Sequence, residues 1–262
     1  QSRLKMHIPD GFLTTNTWLP AWIISAGGIG YCVRRTSRLL KERMIPLMGV
    51  MAAFIFAAQM LNFPVMGGTS GHLIGAVFAA ILLGPYASAV VMAVVLIAQC
   101  LIFQDGGLTA LGANVLNMAI LGPASGYFIY SIIRRAVKGN AGIIAGAAAA
   151  SWASVVIAAS ACAVELATSG TSPFQVVFPA MALIHAVIGI AEAAITCIMV
   201  ALVLKVRPDL IYHKDVKPFG KRELAFGLII AVILFLLAPL ASKLPDGLER
   251  VAEDIGFAPG PE

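Results

Sequence analysis

Long apolar runs separated by short polar segments recur along the chain, in the pattern of a bundle of membrane-spanning helices. Crossing the hydrocarbon layer takes roughly 20 mostly apolar residues. On that measure helices are predicted near 18–33, 45–62, 73–84, 86–104, 109–134, 142–167, 176–205 and 224–241. The run from His72 to Phe103 is too long for one crossing. Leu83-Gly84-Pro85 divides it, because proline lacks an amide donor and clashes with the preceding turn. Its first half, 73–84, reads either as a short crossing or as an embedded segment. Small residues such as Ala145-Gly146-Ala147-Ala148-Ala149-Ala150 let helices approach closely, for packing within the chain or against another membrane subunit.

Charge decides the parity. Arg34, Arg35, Arg38, Lys41 and Arg43 follow the first helix, Arg134, Arg135 and Lys138 follow the fifth, and Lys205, Arg207, Lys214, Lys217, Lys221 and Arg222 follow the seventh. Three loops thus hold 14 of the 18 basic residues, which marks them as cytoplasmic. They share one side only if 73–84 counts as a crossing, so eight spans with both termini outside are expected. The outer side then holds eight acidic residues: Asp10, Asp105, Glu165, Asp246, Glu249, Glu253, Asp254 and Glu262.

Composition agrees with this all-α polytopic membrane bundle. The chain of 262 residues is 60% hydrophobic and 12% charged, against about 25% charged in soluble domains. Its net charge of +5 is an orientation signal and does not point to nucleic acid. The first fifteen residues lack the apolar core of a secretory signal. Cys32, Cys100, Cys162 and Cys197 stand alone in apolar runs and read as buried structural thiols.

Two histidines on the outer side have unusual settings: Met6-His7-Ile8-Pro9-Asp10-Gly11, and the glycine-rich Gly67-Gly68-Thr69-Ser70-Gly71-His72. Imidazole is the commonest side-chain ligand for transition metals. With Met6 as first residue, its amine, the His7 amide nitrogen and His7 Nδ1 close two fused chelate rings. A His72 imidazole completes four nitrogens in a plane. Such a plane favours Ni(II) or Cu(II), tolerates Co(II), and does not suit Mg(II) or Ca(II). Asp10 is a candidate helix cap or an acceptor for the His7 Nε2 proton. Asp105, Asn114 and Asn117 cluster where helix four meets helix five. His185 and Glu192, seven apart, share a face within the membrane, where ionisable groups are functional candidates or polar locks. His213 sits in a basic loop and reads as a solvated residue.

The opening Met6-His-Ile-Pro-Asp-Gly-Phe-Leu resembles the start of the CbiM/NikM family of substrate-binding (S) components of energy-coupling-factor transporters. The resemblance continues through Gly67-Gly-Thr-Ser-Gly-His72, Asp105-Gly-Gly-Leu-Thr-Ala-Leu-Gly-Ala-Asn-Val-Leu-Asn117 and His185-Ala-Val-Ile-Gly-Ile-Ala-Glu192. It covers about residues 6–207. Residues 208–262 add a linker, one further transmembrane helix and Pro245-Asp-Gly-Leu-Glu249, which is similar to the NikN/CbiN auxiliary segment. The resemblance implies a seven-helix S component in the cell inner membrane, capturing Ni(2+) or Co(2+) as transported substrate through Met6, His7 and His72. It also implies a transmembrane coupling (T) protein and two cytosolic ATPase subunits as partners. This sequence departs from the pattern in that Gln1–Lys5 precede Met6, which makes the Met6 nitrogen a peptide amide and a poorer ligand; the chelate expects a chain that begins at Met6, and the site differs otherwise. No GxxxxGK[ST] loop occurs in the sequence, in keeping with ATP hydrolysis elsewhere. The fused auxiliary segment leans toward nickel.

Two other classes compete with this reading. An ion-coupled secondary transporter would use His185 and Glu192 as a proton relay, but no inverted repeat is evident. An intramembrane metalloenzyme would need an open coordination position, and HExxH is absent. The expected function is therefore a non-enzymatic transporter subunit.

Overall fold

The structure, a computed structural model, describes residues 7–39, 42–66, 68–212, 217 and 220–258. Eight helices correspond one to one with the predicted spans: α1 Thr15–Leu39, α2 Ile45–Gln59, α3 Ala76–Leu83, α4 Pro85–Phe103, α5 Leu111–Ala136, α6 Gly139–Thr168, α7 Phe174–Val206 and α8 Lys221–Leu237. A ninth, α9 Gly247–Ile255, lies in the acidic C-terminal stretch. Helices α4 to α7 and the α8 region are long and apolar enough to cross a membrane by length and composition.

Helix α3 settles the ambiguity of 73–84. It is helical for only 8 residues, all buried, and is bracketed by Gly75 and Gly84, both at positive φ. Eight residues rise about 12 Å, too little to cross alone. Residues 72–75 precede it without helical structure, and the segment is a short helix buried inside the bundle. Pro85 then opens α4, where a missing amide costs nothing.

The helices alternate in direction. Arg35 lies over the Tyr86 ring at 5.3 Å, and Arg207 Nη1 is 3.7 Å from Glu223 Oε1, tying the basic segments at one end of the bundle. At the other end Thr14 N donates to Ser169 Oγ (3.2 Å) and Ser242 N to Asn62 O (2.7 Å). The Phe12 and Phe257 rings meet there edge to face, bringing the two ends of the described chain together.

The glycine-rich loop is a β-hairpin, Phe63–Val65 pairing antiparallel with Thr69–Gly71. Gly68 takes φ +72 at its turn, and Gly71 is forced by packing, since a Cβ there would lie 2.7 Å from Ile188 Cγ2. Both glycines therefore serve the hairpin and its seat on α7. Gly67 lies outside the described residues.

The small residues serve internal packing. Gly189 of α7 sits against Trp152 of α6, whose Nε1 donates to Ala186 O at 3.0 Å, and Gly146 abuts Tyr130 of α5. On α5, a Cβ at Gly112 would fall 2.6 Å from the Trp22 backbone, so α1 and α5 touch main chain to main chain. Large apolar side chains such as Ile24, Leu101, Ile190 and Phe226 face outward, as lipid contact requires. Helix α8 packs on α2, with Gly227 against Val50 and Ala231 alone buried.

Gly112→Ala is expected to lower the melting temperature of the detergent-solubilised protein, an overpacking cost of about 1–3 kcal/mol. Gly27→Ala is the control, since nothing lies within 4 Å of a Cβ at that position. Equal melting of the two variants would contradict the α1–α5 contact.

Candidate metal centre

The His7 segment is extended and has no helix to hold it, so side chains pair its backbone. Asn114 accepts from Ile8 N through Oδ1 (3.1 Å) and donates to Ile8 O through Nδ2 (3.2 Å), as a neighbouring strand would. Gly107 N also donates to Ile8 O at 2.9 Å. Gly106, at φ +87, passes so close that a Cβ would lie 3.0 Å from His7 Cβ. Pro9 removes a further donor that would otherwise need a partner.

The clamp buries His7, 3% exposed, with its ring in a polar relay through the apolar core. His7 Nε2 donates to Gln99 Oε1 (2.9 Å), Gln99 Nε2 to Gln59 Oε1 (2.9 Å), and Gln59 Nε2 to Ile74 O (2.9 Å). A carboxamide nitrogen only donates and its oxygen only accepts, so each glutamine sets the orientation of the next. The relay assigns the proton of His7 to Nε2 and leaves Nδ1 with a lone pair. Among the described residues that buried Nδ1 has no hydrogen-bond partner.

Glu192 closes the relay. It is 1% exposed, and its two carboxylate oxygens accept from Ile74 N (2.8 Å) and Gly75 N (2.9 Å). This pins the strand leading from His72 into α3. Glu192 is thus a lock for the backbone of 74–75.

His7 and His72 meet with ring centroids 5.8 Å apart. With His185, Asn114, Asn117 and Asp246 they line one cavity of about 80 Å³, whose walls include Cys162 and Met181. His72 is half-buried, with its ring on this cavity. Desolvation, then the neighbouring His7 and His185, lower its pKa to about 3, so it is a neutral donor at physiological pH. His185 Nδ1 donates to Met181 O (2.8 Å), and a Cβ on Gly247 would lie 2.7 Å from its Nε2. Only glycine fits between that ring and α9.

The remaining predicted residues fall into place around this core. Asp10 accepts from Leu108 N (3.0 Å), Thr109 N (2.7 Å) and Thr109 Oγ1 (2.5 Å). Burial raises its pKa, but the Thr109 hydroxyl and the backbone amides outweigh that and hold it below the usual value. Asp10 therefore caps the turn before α5, and Gln99 is the acceptor for the His7 proton. Asp105 Oδ2 lies 3.9 Å from His7 Nε2, and both its oxygens lack hydrogen-bond partners. Asn117 donates to Glu165 Oε2 at 2.7 Å, which makes Glu165 a buried group rather than an outer surface charge. Helix α5 widens to a π-helical stretch over Val115–Leu121, directly after Asn114, and both asparagines reach the cavity.

Among the described residues no group of three His, Cys, Asp or Glu side chains is arranged to hold a metal ion. The imidazoles are two donors of a set that needs others. Met6 lies outside the described residues.

Sequence reading missed Gln59, Gln99 and Asp246. The glutamines carried a usable signal, since a carboxamide near the end of an apolar helix needs an internal partner. Asp246 had none beyond its place in a cap-like Asp-Gly-Leu-Glu run.

The sequence matches the family model described as the cobalt uptake substrate-specific transmembrane region over residues 7–210. The chain is 41% identical to a putative fused nickel transport protein, NikMN, of Archaeoglobus fulgidus, over 98% of its length and 85% of that protein. It is 34% identical to the cobalt transport protein CbiM of Geobacter sulfurreducens, over 95% of its length and 73% of that protein. A crystal structure described as a transition metal transporter superposes with a TM-score of 0.70 at 32% identity, covering 79% of this chain and 96% of that one.

Gln99→Leu strands His7 Nε2 and Gln59 Oε1 without partners. It should destabilise the protein by about 2 kcal/mol or more, from a cost of about 1–3 kcal/mol per buried unsatisfied group. Thermal or denaturant unfolding in detergent reads this, and an unchanged midpoint would refute the relay.

Proposed function

We propose that this chain, which belongs to the CbiM family of cobalt uptake substrate-specific transmembrane regions, is the membrane subunit that captures divalent nickel or cobalt for uptake. The observation that carries the reading is the pairing of His7 and His72 across one cavity, with His7 Nδ1 unengaged and its Nε2 committed to Gln99. An imidazole oriented by a hydrogen bond at one nitrogen is prepared to ligate through the other. In a chain that begins at Met6, that residue supplies the third set of donors, through its amine and the amide it shares with His7. Asp10, Asp105, Asn114, Asn117, His185 and Glu192 position these donors or line their surroundings. The nickel and cobalt assignments of the similar proteins support this cargo.

Energy comes from partners: a transmembrane coupling protein and two cytosolic ATPases in an energy-coupling-factor assembly. The basic segments at the end opposite the cavity support placing that end in the cytoplasm and the metal site outside. Arg35 beside Tyr86 and the Arg207–Asp209 pair (2.9 Å) lie at that end. A secondary transporter relaying protons through Glu192 is less well supported, because both carboxylate oxygens already hold the 74–75 backbone.

His72→Ala should abolish high-affinity Ni(II) binding in titration calorimetry while the protein still inserts and melts cooperatively. The same titration compares a chain starting at Met6 with one carrying Gln1–Lys5. The shorter chain should bind far more tightly, since an amine of pKa about 8 loses its proton more readily than a peptide amide. Equal affinity would remove the Met6 amine from the ligand set.

Sidedness is tested by labelling single cysteines in intact cells. Met66 is exposed in the hairpin and Lys138 is exposed at the opposite end. A cysteine at Met66 should react with an impermeant reagent and one at Lys138 should not, and the reverse pattern would overturn the orientation.

A further inference from the structure

The C-terminal segment carries a carboxylate into the cavity, and half of that carboxylate has no structural task. Asp246 is the N-cap of α9. Its Oδ1 accepts from Glu249 N (2.9 Å), while Glu249 Oε2 accepts from Asp246 N (3.0 Å). This capping box uses one oxygen, and a serine or threonine would serve as well. The other oxygen, Oδ2, has no hydrogen-bond partner among the described residues, although the residue is only 2% exposed. Leaving a carboxylate oxygen desolvated and unpaired is costly unless something positive comes to it. The residue lines the same cavity as His7, whose Nδ1 is likewise unpartnered, and as His72 and His185.

We propose that Asp246 is a cation-facing residue of this cavity, whose free Oδ2 balances the charge of a divalent ion held between His7 and His72. The inference rests on the metal reading above and goes beyond it, since it assigns the C-terminal segment a part in binding. The charge count supports it. Two neutral imidazoles and one deprotonated backbone amide leave a divalent ion with one unbalanced positive charge. In a buried cavity that charge is expensive, and one carboxylate oxygen cancels it. Asp105 is less suited, because it lies beside His7 Nε2, on the Gln99 side of the ring.

The segment is held where this requires. Ser70 N and Thr69 Oγ1 donate to Pro245 O (2.7 and 3.0 Å), and Ser70 Oγ donates to Leu244 O (2.8 Å). These donors sit two and three residues before His72, on the strand that ends at Gly71. Leu248, Val251 and Ala252 share a core cluster with Ile8, Phe12 and Leu13, next to His7. Gly247 abuts His185 so closely that Asp246 has little freedom to turn away. The two histidine-bearing segments and the carboxylate are therefore built against one another.

The test is titration of the full chain with Ni(II) and Co(II) chloride, comparing wild type, Asp246→Asn, Glu249→Gln and His72→Ala. Asparagine caps helices as well as aspartate, so Asp246→Asn should keep the metal-free melting temperature. Its affinity should fall by about tenfold or more, within the range for groups that support metal ligands. Glu249→Gln keeps the capping box, where glutamine serves as glutamate does, and removes a neighbouring charge while sparing the Asp246 carboxylate, so its affinity should stay near wild type. If Asp246→Asn binds like wild type while His72→Ala does not, the charge-balancing role is wrong and the metal site stands. If Glu249→Gln weakens binding as much as Asp246→Asn, general negative charge on α9 matters rather than the Asp246 oxygen, and the proposal falls. Wild-type affinity in His72→Ala would overturn the metal reading and this inference together.

Discussion

Everything in this structure depends on keeping polar groups satisfied inside an apolar bundle. The line from His7 through Gln99 and Gln59 to Ile74, and the Glu192 carboxylate that takes the next two amides, is the central instance. It links the extended N-terminal segment, α2, α4, the strand entering α3, and α7. Each member lacks water, so each depends on its neighbour to avoid an unpaired buried group. A network of this kind is either complete or costly, and here it is complete apart from the nitrogen that faces the cavity. Of the buried polar atoms without a hydrogen bond among the described residues, His7 Nδ1, Asn117 Oδ1 and Asp246 Oδ2 belong to cavity-lining residues.

The apolar majority of the chain provides the frame for that network. Helices packed through Gly112, Gly146 and Gly189 bring backbones close, in the way expected where lipid gives no hydrophobic drive for helix association. Two irregular stretches then shape the cavity. The π-helical turn of α5 sits beside the asparagines, and α3, shortened between two positive-φ glycines, leaves room above it for the hairpin carrying His72. The end of the bundle with the least regular structure is also the end with the chemistry. Side-chain clamps from Asn114 and Asp10 there replace the ladder that a regular element would provide.

The fold class and the eight apolar segments were legible from hydropathy, because the length of a crossing is set by the membrane and written locally in the chain. Parity was inferred from the clustered Arg and Lys residues. The short 73–84 segment was recognised as anomalous, although its complete burial was not. The Gly67–His72 run was read only as glycine-rich, whereas Gly68 and Gly71 answer to a hairpin turn and to Ile188 of α7. No local pattern announces a partner more than a hundred residues away.

His7 and His72 were identified by residue type and by their settings, which is information the sequence holds. What the sequence could not hold is mutual orientation. That Gln99 rather than Asp10 takes the His7 proton, that Glu192 binds backbone rather than relaying protons, and that Asp246 enters the cavity while Glu165 pairs with Asn117 all follow from packing. The sequence by itself determined a membrane bundle and the identity of its chemical groups, because burial length, charge and side-chain chemistry are local properties. The tertiary structure alone decided which nitrogen and which oxygen are left free, because that is settled by competition among distant partners for each buried donor and acceptor.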